Sequence, residues 1–248
     1  LASSGPYRAR AYDHLEAIGL RYVEIPCPEP KELDAVRKDL SAHGLSVSTV
    51  TVPCQMDADD VVPRFAYALD TAKELGVTRV FTSAKSAELD LDYVYGRLQG
   101  IGDAAAERGL IVALETHPDL ITNADRALET MAGVAHPNVR VNFDTANFYY
   151  YNEQTDVLAE LRRLVRFVTS VHLKDTNGAY QTWHFPALGE GMIDFGGVFD
   201  ILREADFDGP LTLEIEGVEG EVFSLEGAQA RVEASLAHLE ALGVSWRD

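Results

Sequence analysis

Four ionisable side chains stand near the carboxyl ends of four apolar, β-branched segments of the sequence. They are Glu115, Asp144, His172 and Glu214. Three carboxylates and an imidazole that share a small volume need a compensating cation, because like charges raise one another's pKa values. One nitrogen and three oxygen donors suit a fairly hard divalent metal ion. We expect Mn²⁺, with Mg²⁺, Co²⁺ and Zn²⁺ as alternatives.

A divalent ion held in this way would keep open positions for substrate oxygens and act as a Lewis acid. Glu115 and Glu214 would then flank the substrate and exchange a proton with a carbon beside a carbonyl group. A single glutamate at such a position is more often a salt-bridge partner than a metal ligand. Four such residues in consecutive segments favour the metal site.

The segments that carry these residues alternate apolar and polar side chains, as β-strands do. In 110–117 (LIVALETH), Val112 and Leu114 point one way while Glu115 and His117 point the other. The segments 139–144, 169–174 and 211–216 repeat the alternation. By itself this pattern also fits an antiparallel sheet with one solvated face.

Helical segments between the strands decide against an antiparallel sheet. Helices are predicted over 7–18, 30–43, 59–75, 92–108, 122–133, 155–165, 195–205 and 227–242, and further strands over 21–25, 45–52 and 77–83. Strands that alternate with such helices indicate βαβ units and a parallel sheet. We therefore predict an α/β fold, a single (β/α)₈ TIM barrel over residues 1–248, in which the first strand is short or truncated.

The bulk composition limits the classes of partner. A formal charge of −19 and a pI near 4.6 argue against nucleic acid, whose binding depends on Lys and Arg. No apolar run approaches the roughly 18 residues that span a bilayer. Only Cys27 and Cys54 are present, outside any CxxC motif, which favours a reducing, cytoplasmic location. The chain begins with Leu1 rather than Met, which leaves open whether residues precede it.

Six further side chains are candidates for contact with the substrate. They are Glu24, His117, Asn147, Lys174, Trp183 and His184. Glu24 suits an ion pair and a role in supporting the site equally well. The side chain of His117 could contact the substrate, the metal or only solvent, and the sequence leaves these three alternatives open. Lys174 is expected to pair with Asp175 at the rim.

The segment 181–195 (QTWHFPALGEGMIDF) is expected to be a loop over the site. Trp183 and Phe185 would offer apolar surface to the face of a sugar ring, with packing inside the loop as the alternative, and His184 would offer a polar contact. The Gly189–Gly191 turn is too short for a phosphate loop. Residues 149–151, three tyrosines on the loop after Asp144, fit a pocket mouth or an oligomer contact.

Five segments together resemble the xylose isomerase-like TIM-barrel superfamily, in particular its sugar-phosphate isomerase/epimerase branch, which includes D-tagatose 3-epimerase, hydroxypyruvate isomerase and inosose dehydratase. They are ALETH, NFDTAN, SVHLKD, ALGEGMIDF and DGPLTLEIEG, between Tyr22 and Glu216. The resemblance implies one divalent metal on the four residues named first, with Glu115 and Glu214 as the acid/base pair. Asn147 stands where the epimerases often have a histidine.

We therefore predict a metal-dependent isomerase or epimerase of carbohydrate metabolism that acts on a keto sugar or related polyol. One alternative is a metal-dependent dehydratase or lyase acting on a keto-inositol or keto-glycoside. Another is a non-catalytic barrel subunit. A nuclease like endonuclease IV needs many more histidines than the seven present, and a basic face. The substrate's identity and phosphorylation, and whether the chain forms a homo-oligomer, stay open.

Overall fold

The computed structural model describes residues 8–222 and 224–246 of the chain. Seven parallel strands form one sheet in the order β1-β2-β3-β4-β5-β6-β8. They are β1 (Tyr22–Pro26), β2 (Ser46–Thr51), β3 (Arg79–Thr82), β4 (Ile111–Glu115), β5 (Val139–Asp144), β6 (Val168–Leu173) and β8 (Leu211–Leu213). The short strands β7 (His184–Phe185) and β9 (Gly217–Val218) pair with each other in antiparallel orientation.

Helices connect the strands of the sheet. They are α1 (Arg8–Ala17), α2 (Leu33–Ala42), α3 (Val61–Glu74), α4 (Leu91–Ala106), α5 (Ala124–Val134), α6 (Asn147–Tyr151), α7 (Val157–Leu164), α8 (Phe195–Glu204) and α9 (Leu225–Ala241). Single turns of 3₁₀ helix, Pro30–Glu32 and Val165–Phe167, precede α2 and follow α7. No helix in the described part of the chain is long and apolar enough to cross a bilayer.

Local sequence signals set several helix boundaries. The side chain of Asn123 accepts a hydrogen bond from the backbone N–H of Arg126 and so caps α5. Asp90 caps α4 in the same way through Tyr93. Such caps satisfy backbone donors that the first turn leaves without a partner. Gly109 has a φ of +70°, a conformation that glycine adopts without strain, and it turns the chain from α4 into β4.

The core lies between the sheet and the helices around it. Val112, Val141 and Phe143 are fully buried on the outer face of the sheet, against helix residues such as Leu98 and Leu161. Burying one such side chain contributes about 1.5–3 kcal/mol relative to leaving it exposed. The alternate residues of the same strands therefore point into the barrel. One of them, Asn142, accepts a hydrogen bond of 2.7 Å from the hydroxyl of Ser170 on β6.

The sheet curves into a nearly closed barrel, which confirms the predicted fold class. The hydroxyl of Thr212 on β8 lies 3.5 Å from Glu24 Oε2 on β1, so side chains from the two edge strands meet. The short first strand that we predicted in front of residue 7 lies outside the described residues.

Three details differ from the sequence-based expectations. Strand β8 ends at Leu213 rather than at residue 216. The three tyrosines predicted on a loop belong to α6, because Asp144 Oδ1 accepts hydrogen bonds from the N–H groups of Ala146 and Asn147 and turns the chain directly into a helix. The long loop after β6 contains β7, which pairs with β9 just beyond Glu216.

Candidate metal centre

The structure brings Glu115, Asp144, His172 and Glu214 together at one end of the barrel. Each offers one ligand atom, and these four atoms lie within 4.8 Å of one another. The residues lie at or next to the carboxyl ends of β4, β5, β6 and β8, and Asp144 is paired in register with His172. Because parallel strands present their carboxyl ends at the same mouth, residues far apart in sequence converge there.

The imidazole of His172 is held between two sets of carboxylates. Its Nε2 lies 3.2 Å from Glu24 Oε1, on the side away from the cluster. Its Nδ1 lies 3.2 Å from Glu115 Oε1 and 3.3 Å from Glu214 Oε2. A carboxylate behind a histidine fixes the ring and leaves the other nitrogen free to bind a metal. Glu24 therefore supports His172, while its predicted contact with substrate stays a prediction.

Three buried atoms of the cluster have no hydrogen-bond partner among the described residues. They are Asp144 Oδ2, His172 Nδ1 and Glu214 Oε2. Lys174 Nζ lies 3.0 Å from Asp144 Oδ2 and 2.7 Å from Glu214 Oε2, but not at a hydrogen-bonding angle. Buried polar atoms without partners are costly unless an ion or ligand satisfies them. The donor set and these three atoms therefore fit a divalent cation.

The ammonium group of Lys174 compensates part of the negative charge. Besides Asp144 and Glu214, it contacts Glu216 Oε2 at 2.9 Å and Asn147 Oδ1 at 3.1 Å. Burial lowers the pKa of Lys174, but the three carboxylates reverse the effect and hold this pKa well above its usual range. Lys174 is therefore a buried, charged group inside the site.

The expected rim pair between Lys174 and Asp175 is wrong. Adjacent residues point to opposite sides of an extended chain, and Lys174 faces the carboxylates. Asp175 is fully buried and accepts hydrogen bonds from the N–H groups of Gly189, Gly191 and Ile193. These hydrogen bonds therefore hold the segment that precedes α8 against the carboxyl end of β6.

Glu115 is fixed by a different set of donors. The hydroxyl of Ser83, which follows β3, donates a hydrogen bond to Glu115 Oε2, and His117 Nδ1 lies 3.2 Å from the same oxygen. Burial raises the pKa of Glu115, but the imidazoles of His117 and His172 beside it outweigh burial and lower this pKa to about 2. Glu115 is therefore ionised in the site.

The other members of the cluster respond to burial and charge in different ways. Burial raises the pKa of Asp144 to about 8, although Lys174 opposes this shift. For His172, burial lowers the pKa, but Glu24 and Glu214 raise it well above its usual value. For Glu214, burial raises the pKa, but His172 and Lys174 lower it well below its usual range. Strongly shifted pKa values of both signs in one cluster are typical of functional sites.

The remaining predicted contacts lie at increasing distance from the cluster. The side chain of Asn147 is hydrogen-bonded to Lys174 and to the carbonyl of Thr116. The Phe185 ring centroid lies 4.9 Å from Lys174 Nζ, and the half-exposed Trp183 packs on Phe185 at 5.1 Å. His184 precedes Phe185 on β7 and so points to the opposite face. The roles of Trp183 and His184 in substrate binding stay predictions.

Sequence reasoning missed several residues that shape the site. Phe81 on β3 packs edge-on against the imidazole of His172, with ring centroids 4.7 Å apart. Tyr151 packs against His117 at 5.2 Å, and the hydroxyl of Thr49 on β2 donates to Glu24. Ser83 could have been found, because it is a polar residue at the carboxyl end of a strand. Phe81 carried no such signal.

The family model described as "Xylose isomerase-like TIM barrel" matches residues 12–242. The chain belongs to the xylose isomerase-like TIM-barrel family. This match covers the seven strands of the sheet and all four residues of the cluster. Membership of the family that the sequence motifs indicated is therefore confirmed.

Within the xylose isomerase-like family, the chain resembles enzymes of two reaction classes. It is 24% identical over 238 residues to a ketose 3-epimerase of Arthrobacter globiformis, covering 81% of this chain and 79% of that protein. It is 27% identical over 229 residues to an inosose dehydratase of Histophilus somni, covering 78% of this chain and 77% of that protein, and 28% identical over 128 residues to that of Glaesserella parasuis, covering 45% of this chain and 43% of that protein.

Solved structures of other proteins share the barrel. The D-psicose 3-epimerase of Clostridium cellulolyticum H10, whose structure contains D-tagatose, superposes with a TM-score of 0.77, covering 96% of this chain and 94% of that one. The two sequences are 14% identical, so this likeness shows the fold alone.

Proposed function

We propose that the protein is a divalent-metal-dependent sugar isomerase or epimerase. It moves a proton at a carbon next to the carbonyl group of a keto sugar or related polyol, and Mn²⁺ is the ion that we expect. The observation that carries the proposal is the convergence of four possible metal ligands, in which buried atoms of Asp144, His172 and Glu214 make no hydrogen bond and lie beside the ionised Glu115. The match to a ketose 3-epimerase over most of both chains supports it.

Each residue of the cluster has a distinct part in this reaction. Glu115, Asp144, His172 and Glu214 hold the ion, which supplies Lewis acidity toward the substrate oxygens when it is bound. Glu115 and Glu214 also act as the acid/base pair: one ionised carboxylate removes the proton from the substrate carbon, and the other, after taking up a proton from solvent, returns a proton to that carbon. Ser83 and Lys174 hold these two carboxylates in place.

Six residues form the proposed substrate site around the cluster. They are Glu24, His117, Asn147, Lys174, Trp183 and His184. His117 is partly exposed beside Glu115, where a substrate hydroxyl would lie. Trp183 and Phe185 provide an apolar surface on the other side of Lys174.

A dehydratase reaction is the second candidate. The match to an inosose dehydratase, which also covers most of both chains, favours it. The same base would remove the same kind of proton, and a hydroxyl group on the next carbon would then leave as water. The two reactions differ in the mass of the product, because only the dehydratase reaction releases water, and mass spectrometry detects this difference.

The test compares metal-free protein with protein loaded with Mn²⁺, Mg²⁺, Co²⁺ or Zn²⁺. Each form is incubated in D₂O with D-fructose, D-tagatose and an inosose. An epimerase or isomerase gives a product of the substrate's composition carrying one deuterium at the reacting carbon. A dehydratase gives a product lighter by one water. A protein that binds the ion but converts none of these ketones would contradict both candidates and favour a non-catalytic subunit.

Variants test the acid/base assignment. We expect Glu115→Gln and Glu214→Gln each to lower kcat by about 10²–10⁴-fold, the usual contribution of a positioned acid or base. Glu204→Gln is the matched control, because Glu204 is exposed at the end of α8. Full activity in Glu115→Gln or Glu214→Gln would remove that residue from the mechanism.

A further inference from the structure

The segment between β6 and α8 contains a cradle of backbone N–H groups that is already filled. The N–H groups of Gly189 and Gly191 each lie 2.9 Å from Asp175 Oδ2, and those of Thr176 and Ile193 lie 2.8 and 3.1 Å from Oδ1. Converging backbone N–H groups bind phosphate in many proteins, and TIM barrels often place such a site near their last strands. Here the protein's own buried carboxylate takes all four donors.

Five helix amino termini at the same mouth are capped by side chains as well. The first turns of α4, α5, α7, α8 and α9 donate N–H groups to cap side chains from the chain itself. These caps are Asp90, Asn123, Asp156, Asp194 and Ser224. The first turns of α2 and α3 follow Glu32 and Asp60, which bring negative charge. Cap side chains at five helices and acidic residues before α2 and α3 therefore reduce the attraction of these amino termini for phosphate, which such termini commonly bind.

Basic residues are few within the segments at this mouth, although Arg97 and Arg126 reach two of these segments from α4 and α5. The segments that join the carboxyl ends of the barrel strands to the next long helix are 27–32, 52–60, 83–90, 116–123, 145–156, 174–194 and 214–224. They contain 17 Asp and Glu but only three Lys, against 23 acidic and 18 basic residues in the rest of the chain. Of the three lysines, Lys174 lies in the cluster, and its charge is shared among Asp144, Glu214 and Glu216.

From this arrangement we infer that the site takes uncharged polyhydroxy ketones and rejects phosphorylated or carboxylated ones. Five carboxylates meet at the cluster, those of Glu24, Glu115, Asp144, Glu214 and Glu216. A divalent ion together with Lys174 leaves this group with net negative charge. An anionic substituent on the substrate would therefore face repulsion, and the four N–H groups that Asp175 binds would not be free to hold it. The inference rests on the proposed function, whose substrate class it narrows.

The first experiment compares three forms of one ketose with Mn²⁺-loaded protein: the free sugar, its 6-O-methyl ether and its 6-phosphate. We expect kcat/KM to fall by at least about 100-fold for the phosphate at low ionic strength and by less than about tenfold for the methyl ether, since repulsion in a site of low dielectric acts on charge and not on size. Raising the salt concentration should reduce the difference in kcat/KM between the free sugar and its 6-phosphate, because salt screens the repulsion. A phosphate ester used as well as the free sugar, or a methyl ether rejected as strongly as the phosphate, would overturn the inference.

A variant tests whether Glu216 contributes to the preference for the free sugar over its 6-phosphate. Glu216→Gln removes one negative charge and leaves Lys174 less compensated. We expect it to reduce the preference for the free sugar about three- to tenfold, in line with the loss of one charge near the surface. The exposed Glu204→Gln should leave the preference unchanged. An unchanged preference in Glu216→Gln would contradict the electrostatic origin.

A binding measurement separates this inference from the proposed reaction. D-Glucitol and D-glucitol 6-phosphate, which have no carbonyl group, are titrated into Mn²⁺-loaded protein by calorimetry, with inorganic phosphate as a control for withdrawal of the ion. Tighter binding of D-glucitol supports the inference even when no ketose is converted. Equal or tighter binding of the phosphate, or no binding of either polyol, overturns it even when an epimerase activity has been found.

Discussion

Lys174 Nζ lies 2.7 Å from Glu214 Oε2, closer than to Glu216 at 2.9 Å or Asp144 at 3.0 Å. A single buried ammonium group thus connects the proposed acid/base glutamate to a second proposed metal ligand. Removing one partner of a buried ion pair typically costs about 3–5 kcal/mol, because the remaining charge is left without compensation.

We therefore expect Lys174→Met to lower the free energy of unfolding of the metal-free protein by about 3 kcal/mol. The loss should be smaller in protein saturated with Mn²⁺, since the ion compensates the same carboxylates. Chemical denaturation with and without Mn²⁺ measures both values. Lys85→Met, on the exposed loop after β3, is the control. An equal loss with and without the ion would show that Lys174 and the metal act on different charges.

Metal binding should release protons, because two of the proposed ligands hold them in the free site. Burial raises the pKa of Asp144 to about 8, and the surrounding carboxylates hold the pKa of His172 well above its usual range. Both groups must be deprotonated to bind an ion. Affinity for Mn²⁺ should therefore fall as the pH is lowered below about 8 and should rise as the pH is raised.

Calorimetric titration at several pH values, in buffers of different ionisation enthalpy, counts the released protons. We expect at least about one proton per ion at pH 7. An affinity that does not change between pH 6 and pH 8 would contradict the protonation of Asp144 and His172 in the free site.

The two cysteines should react slowly with alkylating reagents. Both are free thiols, and burial raises the pKa of Cys27 to about 11 and that of Cys54 to about 12, from 9.0. Because only the thiolate reacts, alkylation of Cys27 at pH 8 should be about 100-fold slower in the native protein than in urea, and that of Cys54 slower still. Mass spectrometry of iodoacetamide adducts over time measures both rates. Rapid labelling of the native protein would show that the thiols are accessible.

Asp175 should control the order of the segment that precedes α8. In Asp175→Asn, an amide NH₂ group replaces one acceptor oxygen and faces N–H donors, so some of the four hydrogen bonds are lost. We expect a loss of about 2 kcal/mol in the free energy of unfolding. Hydrogen exchange at Gly189, Gly191 and Ile193 should become faster, while exchange in β4 stays slow. Asp206→Asn, on an exposed turn, should change neither quantity.

The strand assignments show how far local patterns reach. Along β4 and β5, alternation of side chains fixed which residues face inward, so the inward direction of Glu115 and Asp144 followed from the sequence alone. The order of strands and helices then indicated a parallel barrel, in which these ends meet. Helix boundaries were predicted to within one or two residues where caps such as Asn123 were present.

The partners of these residues depended on the tertiary structure. Glu24 and His172 are 148 residues apart and touch only because the barrel curves until β1 approaches β6 and β8. Lys174 contacts Asp144, Glu214 and Glu216 instead of its neighbour Asp175. The sequence could not predict these contacts. It gives the side on which a side chain leaves its strand, but not the register and curvature that place other strands opposite that side chain. The sequence by itself therefore determined the chemistry available at the mouth of the barrel. Packing of the whole sheet decided which of those groups meet.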